Sequence, residues 1–521
     1  MRRFVKRIGK IACSLAIVAC SMIPCVAQAA DKGTYFKAGE LYYHTIAKNR
    51  VEVCGTTRNE GTLTIPSKVA YKGKSYTVTQ IADHENYYQD TPITEERTDG
   101  TDVAVRAVGC RTFRYDRVDG KTIPYDIYWL GSADITKVVL PGTLTYIGEG
   151  AFGGCDELQS VVFASKYNKL VVGKDAFGGN ALKSIHFPNG TIELKDRAAG
   201  ATESIYIPAS VKKIGIRVVN AKTKKVVIDS RNRYFKMKDG ILYSANEKTL
   251  ISTSANVKKK VVLSNKISKI MPNAFAETSI TSVKWNKKVK VVAKGTFYRC
   301  DKLTKVTNTN RIQKIEYGAF AQCYKLQSIG EVPNVTKIGR AAFWQDNQLT
   351  FCIPAKAVNV DVYAFAGGEE GNPDIQVTVA EGNPVCTVVD QFLVKTDGDD
   401  KILMMQVKDA AAITIPEGIT EVAGAVGGDQ CTQIIFPKTL KRQYGRARVK
   451  GGTIKYQTAE APELGREFDL TNTSGKQPVT ILVPKGAKET YTKAINNYLG
   501  KLERYDGMDY FDELHQIAEY E

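Results

Sequence analysis

Apolar residues recur along this chain at an interval far longer than the period of a helix or a strand. The pair Ala-Phe returns at Ala151-Phe152, Ala176-Phe177, Ala274-Phe275, Ala319-Phe320, Ala342-Phe343 and Ala364-Phe365, with Thr-Phe variants at Thr112-Phe113 and Thr296-Phe297. From Phe275 onward the steps to Phe297, Phe320, Phe343 and Phe365 are 22, 23, 23 and 22 residues. Five residues before each phenylalanine stands an aliphatic: Val108, Ile147, Val172, Ile270, Val292, Ile315, Ile338 and Val360. Five or six after it comes Leu158, Leu182, Ile280, Leu303, Leu326 or Leu349. Beyond that residue the sequence alternates, as in Leu182-Lys-Ser-Ile-His-Phe187, which predicts a short half-buried strand. Copies of such a strand, one per turn, predict a solenoid with a parallel sheet along its length.

One turn of this size cannot stand alone. Fixing each backbone residue costs about 1–2 kcal/mol, and a turn carries only a few large apolar groups to offset that. Stacked neighbours supply the missing burial. The expected inward spine is Phe113, Phe152, Phe177, Phe275, Phe297, Phe320, Phe343 and Phe365. Three residues after the phenylalanine stand Cys155, Asn180, Cys300 and Cys323, with Thr278 and Asp346 in other turns. A position that accepts Cys, Asn, Thr or Asp is expected to support the turn by bonding its backbone.

The runs Val335-Thr-Lys-Ile338-Gly339-Arg-Ala-Ala342-Phe343 and Leu140-Pro-Gly-Thr-Leu-Thr-Tyr-Ile147-Gly148-Glu-Gly-Ala151-Phe152-Gly-Gly-Cys155-Asp-Glu-Leu158 resemble the BspA-like leucine-rich repeats of bacterial surface proteins. The resemblance spans roughly residues 60 to 490. It implies a β-rich leucine-rich-repeat solenoid of 22–23-residue turns, with short parallel strands plus short helical turns. It also implies adhesion to host proteins and to other bacteria.

Punctuation along the chain divides it further. Residues 1–30 read as a signal peptide and 31–105 as a β-rich cap, in which Leu41-Tyr42-Tyr43 and Val51-Glu-Val53 can pair; a polar surface loop is expected between His84 and Thr101. The solenoid proper is expected over 106–380, with a β-hairpin insert near 231–251 around Asp239-Gly240. A second hairpin around Asp397-Gly398, followed by degenerate repeats, fills 381–440. Closing strands and amphipathic helices are expected over 441–521: Lys488 to Leu499 has helical spacing, and a second stretch, Tyr510 to Tyr520, is expected to cap the open end.

Charge and cysteines then set the compartment. Arg2, Arg3, Lys6, Arg7 and Lys10 precede an apolar stretch from Ile11 to Val26 and the small-residue site Ala27-Gln28-Ala29. Cleavage near Ala29 or Ala30 is one outcome; processing at Ile17-Val18-Ala19-Cys20 to leave a lipid on Cys20 is the other. Removing the five basic residues takes the formal net charge from +18 to 18 − 5 = +13. No other segment is apolar enough for long enough to span a bilayer, and the polar end Ile517-Ala-Glu-Tyr-Glu521 carries no expected sorting signal. Three of eleven cysteines fall in the leader, which leaves 11 − 3 = 8. Their repeat positions favour free buried thiols over bridges.

The residues offer little for chemistry. His44, His84, His186 and His515 have no metal-ligand spacing, and there is no phosphate loop, paired-Cys zinc motif or Gly-x-Ser-x-Gly elbow. Asp397, Asp399 and Asp400 lack the glutamate that completes a calcium loop. The expectation is a non-enzymatic exported protein with no metal or cofactor. Its partner is expected to be a protein or glycan outside the cell, nucleic acid not being an expected one, met through strand-face residues such as Gln159, His186, Lys284, Lys305, Gln327 and Thr350. A second reading is a basic scaffold on anionic wall or surface polymers. It rests on Lys222 to Lys225, Lys258 to Lys260, Lys284 to Lys290, and the cluster Lys441, Arg442, Arg446, Arg448 and Lys450 near Tyr444.

Overall fold

The computed structural model describes residues 33–83, 95–96, 102–103, 134–365, 375–465, 468–472, 479–499 and 515–521. The expected leader, most of the expected 84–101 loop, Cys110 and Phe113 lie outside the described residues. The rest is a β-solenoid of about 16 turns.

Each full turn contributes two short strands, and the two sets form parallel columns. The front column runs through Glu60–Thr64, Asp134–Leu140 and Ser160–Phe163, then Ser184–His186, Ser204–Ile207 and Lys225–Ile228. It resumes with Lys260–Val262, Ser282–Lys284 and Lys305–Thr307, then Thr350–Ile353 and Gln376–Val379. It ends with Ala412–Thr414, Gln433–Phe436, Thr453–Tyr456 and Val479–Pro484. The rear column holds the aliphatics five residues before phenylalanine, for example Val291–Val292, Lys314–Ile315, Lys337–Ile338 and Asn359–Val360 in successive parallel register. Parallel ladders therefore run well past the expected limits of 106 and 380 on both sides.

Between the columns the Ala-Phe segment turns the chain. Phe152, Phe177, Phe275, Phe297, Phe320, Phe343 and Phe365 are all buried. Their rings stack turn upon turn: Phe275, Phe297, Phe320, Phe343 and Phe365 lie at successive centroid distances of 5.3, 5.1, 5.4 and 5.4 Å. The backbone at these residues forms a third ladder, in which the amide of each phenylalanine donates to the carbonyl before the next one, as from Phe297 to Ala319 and from Phe320 to Ala342. Turns place a left-handed residue two positions before phenylalanine and another two positions after it, as at Gly318 (φ 57°) and Gln322 (φ 63°) around Phe320. The glycine that follows the rear-column aliphatic in several turns has a different cause: after Val172, a Cβ on Gly173 would stand 2.6 Å from the amide of Glu149 in the preceding turn.

The position three residues after phenylalanine bonds the ladder. Thr278 Oγ1 donates to the Phe275 carbonyl at 2.7 Å, and the Asn180 amide donates to that of Phe177. Cysteine reaches one turn further back: Cys300 Sγ donates to the Phe275 carbonyl and Cys323 Sγ to that of Phe297, each at 3.0 Å. Cys155 is buried at the same position. Among the described residues every cysteine is a free thiol, and only Cys352 is exposed.

Three antiparallel meanders punctuate the array. The first comprises Tyr35–Ala38, Leu41–Ala47 and Arg50–Thr56; the second Phe235–Lys238, Ile241–Ser244 and Thr249–Thr253; the third Cys386–Val389, Phe392–Asp397 and Asp400–Gln406. In each, the third strand pairs parallel with the rear column of the turns that follow. The two inner meanders are thus three-stranded, where the sequence predicts hairpins. Asp239 (φ 52°) and Gly240 (φ 74°) make the first tight turn, while in the second the turn sits at Gly398-Asp399, between Asp397 and Asp400. The second and third strands of each bury apolar residues on both faces. Leu242 and Ile251 pack into the core of residues 36–251, whereas Ile241 and Leu250 pack into that of residues 241–405. Likewise Leu393 and Met404 face the middle core, and Phe392, Val394 and Leu403 face the last, which spans residues 392–498. The meanders are partitions that divide the apolar interior into three.

At the far end the helix Lys488–Leu499 covers the last core with Tyr491 and Ile495. The stretch Tyr510 to Tyr520, predicted as a second amphipathic helix, corrects differently: His515–Tyr520 is a strand, paired parallel with Val479–Pro484. An open sheet edge there offers a full ladder of backbone partners, and this outweighs the weak helical spacing of six residues.

Candidate functional site

The outward side of the front column is where the repeat leaves freedom, because alternate strand residues point away from the core. In the first block this row reads Val139, Val162, His186, Tyr206 and Val227; Val139 lies opposite Val162, and His186 opposite Tyr206, which lies opposite Val227. Val162 and Val227 are 40% and 39% exposed, high for a large apolar side chain. The His186 and Tyr206 rings stack at 3.9 Å with 13° between their planes. Tyr206 donates its hydroxyl to Asp229 Oδ2 at 2.9 Å. Asp229 in turn accepts from the Arg231 Nε at 3.0 Å and Nη2 at 2.9 Å, so the guanidinium holds its carboxyl well below the usual range. The result is a flat aromatic pair fixed in place by a carboxylate and flanked by valines.

In the middle block the same face turns basic. Lys260 lies opposite Ser282, which lies opposite Lys305, and Lys284 sits in the next row between Val262 and Thr307. Lys260, Lys284 and Lys305 are exposed, and none has an ion pair among the described residues. Val262, beside Lys284, is 73% exposed.

Of the residues singled out from sequence, Gln159, His186, Lys284, Lys305, Gln327 and Thr350 are all exposed on or beside front-column strands. They do not form one cluster. His186 belongs to the aromatic row, Lys284 and Lys305 to the lysine patch, Gln159 to the turn before His186, and Gln327 and Thr350 to later turns, where the Thr350 amide bonds the Gln327 carbonyl at 3.0 Å. Sequence reasoning missed Tyr206, Asp229 and Val262. Tyr206 follows His186 by 20 residues, a shorter step than the Ala-Phe period, so only the strand register reveals the pair.

The basic cluster at 441–450 is corrected. Arg442 bonds Asp400 Oδ2 at 2.6 Å and Glu421 Oε2 at 2.7 Å, and Lys441 and Arg448 reach Asp400 and Asp429. The charges of Lys441, Arg442 and Arg448 are answered by acids from preceding turns. Asp400 is thereby occupied, and no group of residues suited to hold a metal ion occurs among the described residues. No described helix is long and apolar enough to cross a membrane.

No curated protein matches the chain. Among solved structures, a leucine-rich cell surface protein of Faecalibacterium prausnitzii is 20% identical, with 68% of this chain and 97% of that one aligned at a TM-score of 0.42. The pneumococcal vaccine antigen PcpA is 14% identical over 89% of this chain and 96% of that one, with a TM-score of 0.35. A leucine-rich-repeat protein of Bacteroides ovatus is 16% identical over 93% and 100%, with a TM-score of 0.32. Six copies of the BspA-type leucine-rich-repeat region match residues 121–243 and 252–370, so the chain carries repeats of that type over those residues.

Proposed function

We propose that this is an exported, non-enzymatic recognition protein that meets a protein or glycan partner with the outward face of its front column. The observation that carries this reading is the row Val139, Val162, His186, Tyr206 and Val227, in which a solvent-facing strand position is apolar or aromatic in five successive strands. A solvated sheet face ordinarily alternates to polar residues, and contiguous exposed apolar groups mark interaction sites. The stacked rings offer a face to sugar C–H groups or to an apolar peptide side chain, and Asp229 and Arg231 add polar contacts at its edge. Adhesion is the role the family resemblance suggests for such a surface.

A second reading has its own observation. Lys260, Lys284 and Lys305, on three adjacent strands and without acidic partners among the described residues, form a patch suited to an anionic wall or surface polymer. The two readings separate by salt. The chain without its leader is applied to an array of matrix proteins and glycans at rising ionic strength, alongside a His186→Ala/Tyr206→Ala double variant and a Lys260→Ser/Lys284→Ser/Lys305→Ser triple variant. Recognition through the aromatic row predicts selective binding that resists salt and weakens at least tenfold in the double variant alone. Uniform binding that collapses with salt and follows the triple variant would favour the polymer scaffold, since each released counterion steepens the salt dependence.

A further inference from the structure

The meanders interrupt the front column, and a column that stops leaves an edge. After the second meander the chain bonds back to the start of that edge: the Ala255 amide donates to the Thr223 carbonyl at 2.9 Å and the Asn256 side chain to that of Lys224 at 2.6 Å, just before the strand Lys225–Ile228. At the third meander no such bond reaches the strand Gln376–Val379 among the described residues. Its one strand partner among the described residues is Thr350–Ile353. The amides of Gln376 and Ala380 bond the Leu349 and Ile353 carbonyls at 2.8 and 2.9 Å, so the intervening amides of Val377 and Val379 face the other way.

Facing them is a second bare edge. Among the described residues Cys386–Val389 pairs only with Phe392–Asp397. The Val385 carbonyl accepts from the Thr396 amide at 2.8 Å, which turns the backbone groups of Val388 outward by the alternation of an antiparallel ladder. Between the two edges lies a groove of about 620 Å³, lined by Val377, Val379, Val388, Val407, Glu381 and Lys408 among others. A strand fills roughly 160 Å³ per residue at a 3.3 Å rise, a 4.8 Å spacing to its neighbour and a 10 Å layer, so the groove holds about four residues. Gln376–Val379 is itself four residues long.

Natural sheet edges are guarded by charge, proline or a bulge. The sequence Gln376-Val-Thr-Val379 has none of these, and across the groove Val388 and Val389 are 38% and 36% exposed. We propose that this groove takes an extended segment of a partner protein as an added strand on Gln376–Val379. The alternation of free N–H and C=O groups specifies a polypeptide backbone, and Val388 and Val407 specify apolar side chains at alternate positions of the guest. This site goes beyond the recognition face above and lies apart from His186 and Tyr206, so the failure of either leaves the other standing.

The test pans a displayed random ten-residue peptide library against residues 31–521, then measures one synthesised winner by fluorescence anisotropy. Val379→Pro removes a groove-facing donor while sparing the bonds to Thr350–Ile353, and proline is tolerated at an edge where its missing N–H faces away. The expected result is a selected peptide with alternating apolar residues, at least tenfold weaker binding to Val379→Pro, and slowed amide exchange at Val377 and Val379 when it is bound. Should that variant fail to fold, Val388→Asp charges the groove without touching its backbone, with the same tenfold loss expected. The proposal is overturned by a library that enriches nothing over empty beads, by winners indifferent to both substitutions, or by protection confined to other strands. Self-association of the unliganded chain that Val379→Pro abolishes would also overturn it, by making a second copy the occupant.

Discussion

Phe320 is the most direct test of the spine, because it sits mid-stack in the middle core. Its side chain is 1% exposed, with Phe297 at 5.1 Å and 17° on one side and Phe343 at 5.4 Å and 4° on the other. Phe320→Ala empties that site. Loss of transfer energy and the residual cavity together cost about 3–5 kcal/mol. The two ring pairs, about 0.5–1.5 kcal/mol each, place the expected value in the upper half of that range. Phe320→Leu restores most of the volume and forfeits the stacking, so it should cost about 1–2 kcal/mol. Equilibrium denaturation of residues 31–521 gives both numbers. Native-state amide exchange gives their location, since turns couple chiefly to their neighbours and the partitions at 235–253 and 386–406 bound the middle core. Protection should fall between those limits and hold at Val138 and Ile454 in the outer cores. An alanine variant within about 1 kcal/mol of the parent, or a leucine variant as costly as alanine, would refute the stacked inward spine.

Two further outcomes follow from backbone and charge. Gly173→Ala would drive a Cβ to 2.6 Å from the Glu149 amide, an approach that only a shift of the backbone can relieve; a loss of at least about 2 kcal/mol is expected in thermal or chemical melts, against about 0.5 kcal/mol of gain for the same change at an open site. Asp346 is fully buried, accepts the Cys323 amide at 2.8 Å through Oδ1 and leaves Oδ2 without a partner; burial, opposed by that one amide, pushes its carboxyl well above the usual carboxylate range. A raised folded value means that its contribution is fully present below about pH 4, where the unfolded carboxyl titrates, and is lost as pH rises toward the folded value. Asp346→Asn should therefore be more stable than the parent at pH 7, with the gap closing by about 1.4 kcal/mol per unit as pH falls toward 4; a gap independent of pH would show that the carboxyl is ionised in the fold.

The spine was legible because burial holds its residues to one kind at one interval. Phe275 through Phe365, the aliphatics before them and the small bonding residues after them all repeat, and each has a place in the interior. The meanders were legible only in part. Asp239-Gly240 marks a turn, but the third strand and the double burial are signalled by unbroken apolar runs, Ile402-Leu-Met-Met405 above all, which read as a strand covered on both faces. The surface was least legible, since its contacts join residues one turn apart through a register the period does not fix. Arg442 looks free beside Lys441 until Asp400 and Glu421, 42 and 21 residues earlier, are stacked beneath it. His515–Tyr520 was misread for the related reason that its strand partner lies over thirty residues away.

The partitions also decide how this molecule would come apart under tension. A uniform solenoid pulled from one end peels a turn at a time, each release matching the last and costing only a neighbour interface. Here the peeling front meets a three-stranded antiparallel sheet wedged between two cores, at 386–406 and again at 235–253. Such a sheet cannot yield strand by strand without opening both interiors at once. Extension should proceed in short, nearly equal steps interrupted by two larger arrests, which makes the chain a tether with built-in stops.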